Sequence, residues 1–179
     1  MFGTPKYRIG EVVAGGDAAY HGSIHHFSDI GDRFPSTSII RGGSAWCVGV
    51  FVNNLSGGTL AKGLRVLPST TAATGPMRGV LGAAGADVAF CGWVNPFLET
   101  ATVAIGASFW LIIKGFTRVG YDGSANFAVG DTLSGAASGW VSESGETYED
   151  PWCVGFAWEA KSSGSAGDLI DAYVNCPFV

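Results

Sequence analysis

Charge is in short supply. Asp, Glu, Lys and Arg make up 14% of the 179 residues, where about 25% is usual for a soluble domain. The ten Lys and Arg residues are scattered and the formal net charge is −5. That excludes direct binding to nucleic acid, because neutralising a phosphate backbone needs basic residues massed on one face. Long apolar runs are missing too, and none reaches the roughly 18 residues of a membrane span. The opening Met1-Phe2-Gly3-Thr4-Pro5-Lys6-Tyr7-Arg8 is charged but leads into no apolar stretch of signal-peptide length. The expectation is a protein made in a cytoplasm-like compartment, with no membrane partner.

Catalytic patterns are equally scarce. There is no G-x-S-x-G elbow, no phosphate loop and no dinucleotide fingerprint. Glu99, Asp122, Asp131, Glu143, Glu146, Glu149 and Asp150 supply carboxylates, but none forms a pair set in apolar surroundings of the kind that raises one pKa for hydrolysis. Cys47, Cys91, Cys153 and Cys176 are too far apart for a CxxC zinc pattern; they read as small buried hydrophobes, with a disulfide left open. No enzyme and no cofactor is expected.

What is plentiful is glycine, 28 residues of it. A phrase of small residue, any residue, Gly, two residues, apolar residue occurs at Ala61–Val66, Ala104–Phe109, Ala128–Leu133 and Ser165–Ile170. A glycine reaches positive φ at little steric cost, so each phrase reads as a tight turn feeding a strand. Strand-like runs follow at 45–52, 63–67, around Val80-Leu81, at 87–94, 108–119, Trp140-Val141, around Trp152, and 168–176. The fold class predicted is all-β: an antiparallel β-sandwich or barrel-like domain. Trp46-Cys47-Val48-Gly49-Val50 is echoed by Trp152-Cys153-Val154-Gly155-Phe156, with mid-strand glycines that mark bulges or close backbone approaches. Asp122-Gly123 has the chemistry of a hairpin turn. The stretches 70–75 and 143–150 read as polar loops.

Residues 1–43 differ from the β domain at 44–179. They hold scattered aromatics without a sustained period and read as an extended N-terminal arm that finds its order on another surface. Tyr7, Tyr20, Phe27 and Phe34 are the expected partner-binding anchors of that arm, and Trp110 and Phe116 are further interface aromatics.

His21, His25 and His26, with Asp29 and Asp32 nearby, are the one cluster with metal-ligating residue types. Gly22 and the polar neighbours do not support the helix that would align His21 with His25, so packing is the expected role and no metal is assigned. Six tryptophans, at 46, 93, 110, 140, 152 and 158, leave open a carbohydrate- or receptor-binding module that uses surface tryptophans such as Trp140 and Trp152 as stacking platforms.

The run Val52-Asn53-Asn54-Leu55-Ser56-Gly57-Gly58-Thr59-Leu60-Ala61-Lys62-Gly63 resembles the opening of decoration, or cement, proteins of tailed-bacteriophage heads. The later order Gly92-Trp93-Val94, Ala128–Leu133, Val154–Ala160 and Gly167–Ile170 is similar to theirs, and the likeness spans roughly residues 50–175. It implies a non-enzymatic virion protein on the outer surface of an icosahedral capsid. Such a protein associates with itself, most often as a trimer, and clamps neighbouring subunits of the major capsid protein. Low charge suits a surface shared with partners.

Overall fold

The computed structural model describes residues 4–69, 78–85, 92–123, 126–143, 153–162 and 164–176. Among these described residues, twelve strands run in chain order: β1 (Ile24–Phe27), β2 (Cys47–Asn54), β3 (Leu60–Ala61), β4 (Arg65–Pro68), β5 (Gly79–Ala83), β6 (Gly92–Val94), β7 (Thr102–Val103), β8 (Ser108–Gly120), β9 (Thr132–Gly135), β10 (Val141–Glu143), β11 (Cys153–Ala157) and β12 (Leu169–Asn175). Short 3₁₀ turns lie at Gly31–Arg33 and Ala137–Gly139. Among the described residues no helix is long and apolar enough to cross a membrane.

The glycine phrases act as expected. Gly63, Gly106, Gly130 and Gly167 all have positive φ, between 72° and 96°. Strands β4, β8, β9 and β12 begin two residues after each of them. The mid-strand glycines also behave as read: register shifts fall between Val48 and Gly49 and between Cys153 and Gly155.

The pairings close on themselves. Strand β2 lies parallel to β5 at Asn53↔Gly79 and Asn54↔Val80, β5 is antiparallel to β4, β4 to β6, and β6 to β8 through Trp93↔Ile112. Strand β8 then returns to β2, from Asn53↔Ser108 to Cys47↔Gly115. The result is a small barrel, in which each strand of the circuit is paired on both sides. The remainder of β8 pairs with β12 from Lys114↔Asn175 to Gly120↔Leu169, β12 with β11, β11 with β9, and β9 with β10. Among the described residues, an isolated parallel bridge, Tyr121↔Val141, brings this second circuit back to the end of β8. The architecture is therefore barrel-like and mostly antiparallel, with β8 common to both circuits. The Asp122-Gly123 turn has its positive φ at Gly123 but makes no hairpin, because β9 pairs with β10 and β11 instead of β8.

Strand β8 changes character halfway. Ser108–Ile113 are all buried, whereas from Lys114 onward burial alternates. Opposed pairs share a face of the pleat. Phe51 and Trp110 therefore look outward together, and Val50, Val52, Phe109 and Leu111 fill the first barrel. Thr117, Val119, Ile170, Ala172 and Val174 fill the second. Buried Arg65 of β4 joins the two, donating from Nη2 to Gly85 O at 2.7 Å and to Ala136 O at 3.3 Å.

Residues 4–43 are a strap laid on the outside of the first barrel. This corrects the extended-arm reading. β1 pairs with β2, Val13 exchanges two backbone hydrogen bonds with Ser108, and the Asn95 side chain donates to Ile9 O. Ile9, Phe27, Ile30, Phe34 and Ile40 join the core. The aromatics give no period because the strap is irregular between its short pairings, and its turns, not a regular repeat, bring Tyr7, Tyr20 and Phe27 together on Phe51 and Trp110.

Candidate interaction surfaces

The three histidines do not converge. On a strand, neighbours face opposite sides. His25 meets Phe27 and Trp110, while His26 stacks on Trp46 at 5.3 Å. His21 Nε2 lies 2.6 Å from Ser108 Oγ. Desolvation is the main cause holding the His21 and His25 pKa values below the usual 6.5. Among the described residues, no group of three or more His, Cys, Asp or Glu side chains could hold a metal ion.

The His21–Ser108 contact resembles a nucleophile and its base, and Asn53 Nδ2 also reaches Ser108 Oγ, at 3.3 Å. A nucleophile needs access, though, and Ser108 is fully buried. Any Cβ on Gly16 would fall 2.9 Å from its hydroxyl. The Asp17 carboxylate is already engaged by Lys6 Nζ at 2.6 Å and Tyr7 OH at 2.7 Å, which hold its pKa below the usual range. The cluster pins the strap to β8. Of the carboxylates singled out from sequence, Asp131 accepts from Ala128 N within its turn, Glu99 and Glu143 are exposed, and Glu146, Glu149 and Asp150 lie outside the described residues. Cys47 and Cys176 are buried, and burial pushes the Cys47 thiol pKa up. Cys91 and Trp152 lie outside the described residues.

The expected anchors are occupied by their own chain. Tyr7 stacks on Phe51 at 4.8 Å; Tyr20 meets Tyr7, Phe51 and Trp110 edge to face. Phe27 packs on Trp110 and Phe34 on Phe97, both buried. Trp110 is no surface aromatic either. It is fully buried, and its Nε1 donates to Tyr7 O at 3.0 Å. The physical reason is the strap, which covers the outward face that a two-layer reading of β8 leaves to solvent.

Phe116 does reach the surface, in company that the sequence did not reveal. A row of half-buried rings runs from Trp46 to Tyr173, Phe116 and Trp158, with centroid spacings of 6.1, 5.4 and 5.4 Å and interplanar angles near 80°. Two adjoining cavities, of about 200 and 190 Å³, open beside Trp158 and Ile39, which line both. The larger also has Thr37, Ser38, Glu159 and Asp171 in its wall. Ile39 is 68% exposed and Val129, on the same rim, 55%. Trp158 follows the last residue of β11 and precedes Glu159. A tryptophan just past a strand end beside a charge is the one signal that set it apart from the buried tryptophans.

A second surface lies at the other end of β8. The turn after β2 exposes Leu55 (38%), and Leu81 (41%) and Ile105 (61%) come from segments bonded to the same turn. Leu55 N donates to Val80 O, and Gly106 N to Asn54 O, each within 2.9 Å. Buried Asn54 organises this tip. Its Nδ2 donates to Gly58, Val103 and Ala104 carbonyls at 3.1 Å, and its Oδ1 accepts from Ser56 N and Oγ. Asn, Ser and Gly are needed here because a short amide and hydroxyl must replace backbone partners in a turn too tight to satisfy itself.

No protein-family model matches the chain, and no curated protein does. Among solved structures, the chain is similar to the head fiber gp8.5 N base of bacteriophage phi29, with 14% identity and a TM-score of 0.47 over 71% of this chain and 92% of that one.

Proposed function

We propose that this chain is a non-enzymatic structural protein of a phage virion that decorates the outside of an icosahedral head and stabilises it by clamping neighbouring major capsid subunits as a homo-oligomer. The observation that carries the reading is the tip. The residues that resemble decoration proteins, Val52 to Gly63, fold into a turn locked by Asn54 that exposes Leu55, and the segments bonded to that turn expose Leu81 and Ile105. Covering what remains exposed of these side chains contributes about 0.5–2 kcal/mol each, in proportion to the area taken from water. A preorganised turn loses little further entropy on docking, and a protein that binds only the assembled shell stabilises it by mass action. Tyr7, Tyr20, Phe27 and Phe34 serve this function indirectly, by tying the strap down. Deleting residues 1–40 would therefore test folding and not attachment.

The test is co-sedimentation of the purified protein with shells of the major capsid protein, together with the temperature at which filled heads rupture. Leu55→Asp and Ile105→Asp, at exposed positions, are expected to leave the folding transition within about 0.5 kcal/mol of the parent and to abolish shell binding. Parent protein that ignores shells, or variants that bind and protect as the parent does, would overturn the reading.

A further inference from the structure

We infer that the cavity between the strap and the Trp158 turn binds a pyranose unit of a glycan. The inference stands apart from the shell-binding reading, since its residues lie at the opposite end of β8 from the apolar tip. A sugar ring has an apolar C–H face and a rim of hydroxyls that both donate and accept, so its site needs an aromatic wall beside mixed polar groups. This cavity has them. Trp158 and Ile39 form the apolar wall; Thr37, Ser38, Glu159 and Asp171 supply the rim.

Ser38, Glu159 and Asp171 are each held and still have capacity. Ser38 Oγ accepts from Ile40 N at 3.2 Å, which leaves its hydroxyl hydrogen to donate. Glu159 Oε2 accepts from Asp171 N at 3.1 Å. Asp171, itself 2% exposed, accepts from Arg118 Nε at 2.8 Å through Oδ1. A carboxylate offers about four lone-pair sites, so both acids retain acceptors for sugar hydroxyls, and bonds to ionised acceptors are the stronger kind. The indole is fixed by its edge-to-face contact with Phe116 and by Trp158 N donating to Asp171 O at 2.8 Å. At about 200 Å³ the cavity falls below the roughly 300–1,000 Å³ of sites for drug-sized ligands, which suits one ring. The second cavity across Trp158 and Ile39 gives a linked unit somewhere to go.

An aromatic wall with carboxylates also suits an organic cation. Two observations favour the sugar: Arg118 already balances Asp171, and Thr37 and Ser38 offer hydroxyls for which a quaternary ammonium has no use.

The full chain is titrated with cellotriose, maltotriose and triacetylchitotriose, with tetramethylammonium chloride as the cationic comparison, followed by tryptophan fluorescence and calorimetry. At least one saccharide is expected to bind saturably at millimolar concentration or below. Trp158→Ala is expected to weaken it by about tenfold or more. Thr37→Ala, on an exposed loop, gives a several-fold loss and keeps the test sound if Trp158→Ala fails to fold. Three results would overturn the inference: tetramethylammonium bound in preference to the saccharides, silence of all three together with a glycan array, or saccharide binding unchanged in both variants. Co-sedimentation with shells, measured on the same proteins, separates this outcome from that of the tip variants.

Discussion

The two circuits that share β8 are built to different standards. The first is closed by a long ladder between β2 and β8, from Asn53↔Ser108 to Cys47↔Gly115, and is roofed by the strap, so Ser108–Ile113 are buried throughout. The second, among the described residues, is closed by an isolated bridge at Tyr121↔Val141, and its outer face is only partly covered by the end of the strap, with Phe116, Tyr173 and Trp158 half in solvent. One strand thus meets two environments, and the difference shows that burial here is set by what lies on top of a sheet as much as by its own side chains. The roofed half is buried on both faces; the other keeps a row of aromatic rings partly in solvent.

The sharpest way to break the contrast is a matched pair of truncations. Trp110→Ala, under the strap, should cost about 3–5 kcal/mol, whereas Phe116→Ala, six residues on in the same strand, should cost about 1–2 kcal/mol because only part of its area leaves water. Chemical denaturation of both proteins measures the gap, and equal costs would mean that the strap protects nothing.

A smaller effect is expected where β8 passes from one circuit to the other. Gly115 has φ +100°, and a Cβ there would stand 2.5 Å from Trp46 O and 2.8 Å from Cys47 Cα. Gly115→Ala should therefore lose about 2 kcal/mol, in the range of a residue forced into a sparsely populated conformation. Thermal melts of this variant beside Gly57→Ala, whose glycine has open space around it, isolate the strain from any general effect of adding a methyl group.

The smallest effect concerns the roof itself. His21 and His25 are held below the usual value of 6.5, first by desolvation, with Asp17 opposing and Arg78 adding to the effect at His21 and His26 adding to it at His25. The unfolded chain therefore takes up protons before the folded one. Stability is complete above that usual value and declines as pH falls through it. The Tm should drop between about pH 7 and pH 5, and His21→Gln should reduce the drop. A Tm that rises on acidification would mean that these rings gain a partner when charged.

How much of this was legible from the chain follows the same division. The glycine phrases are local devices, so Gly63, Gly106, Gly130 and Gly167 announced their strands, and the mid-strand glycines announced their bulges. Alternation in Ile170, Ala172 and Val174 against Leu169, Asp171 and Tyr173 was readable because the second circuit has one wet face. The closure of β2 onto β8 and the parallel pairing of β2 with β5 were not, since pairing across tens of residues leaves no local mark. Trp110 was misread for a related reason. A strand covered on both faces shows no period, and its cover, the strap, has none either. Of the candidate surfaces, the tip was visible as a motif, whereas the groove depends on Thr37 and Ser38 meeting Glu159 and Asp171 from the far end of the chain.

The backbone of β8 runs unbroken through 13 residues, roughly 40 Å at the usual rise of an extended strand. It ties the locked turn at one extremity to the open groove at the other. A tug on anything held in the groove would be carried along this strand to whatever grips the turn, with the ladders to β2 and β12 loaded sideways, so that many bonds share the strain together. On the two readings proposed above, the turn would be the anchorage and the groove the grip, two ends of one cable.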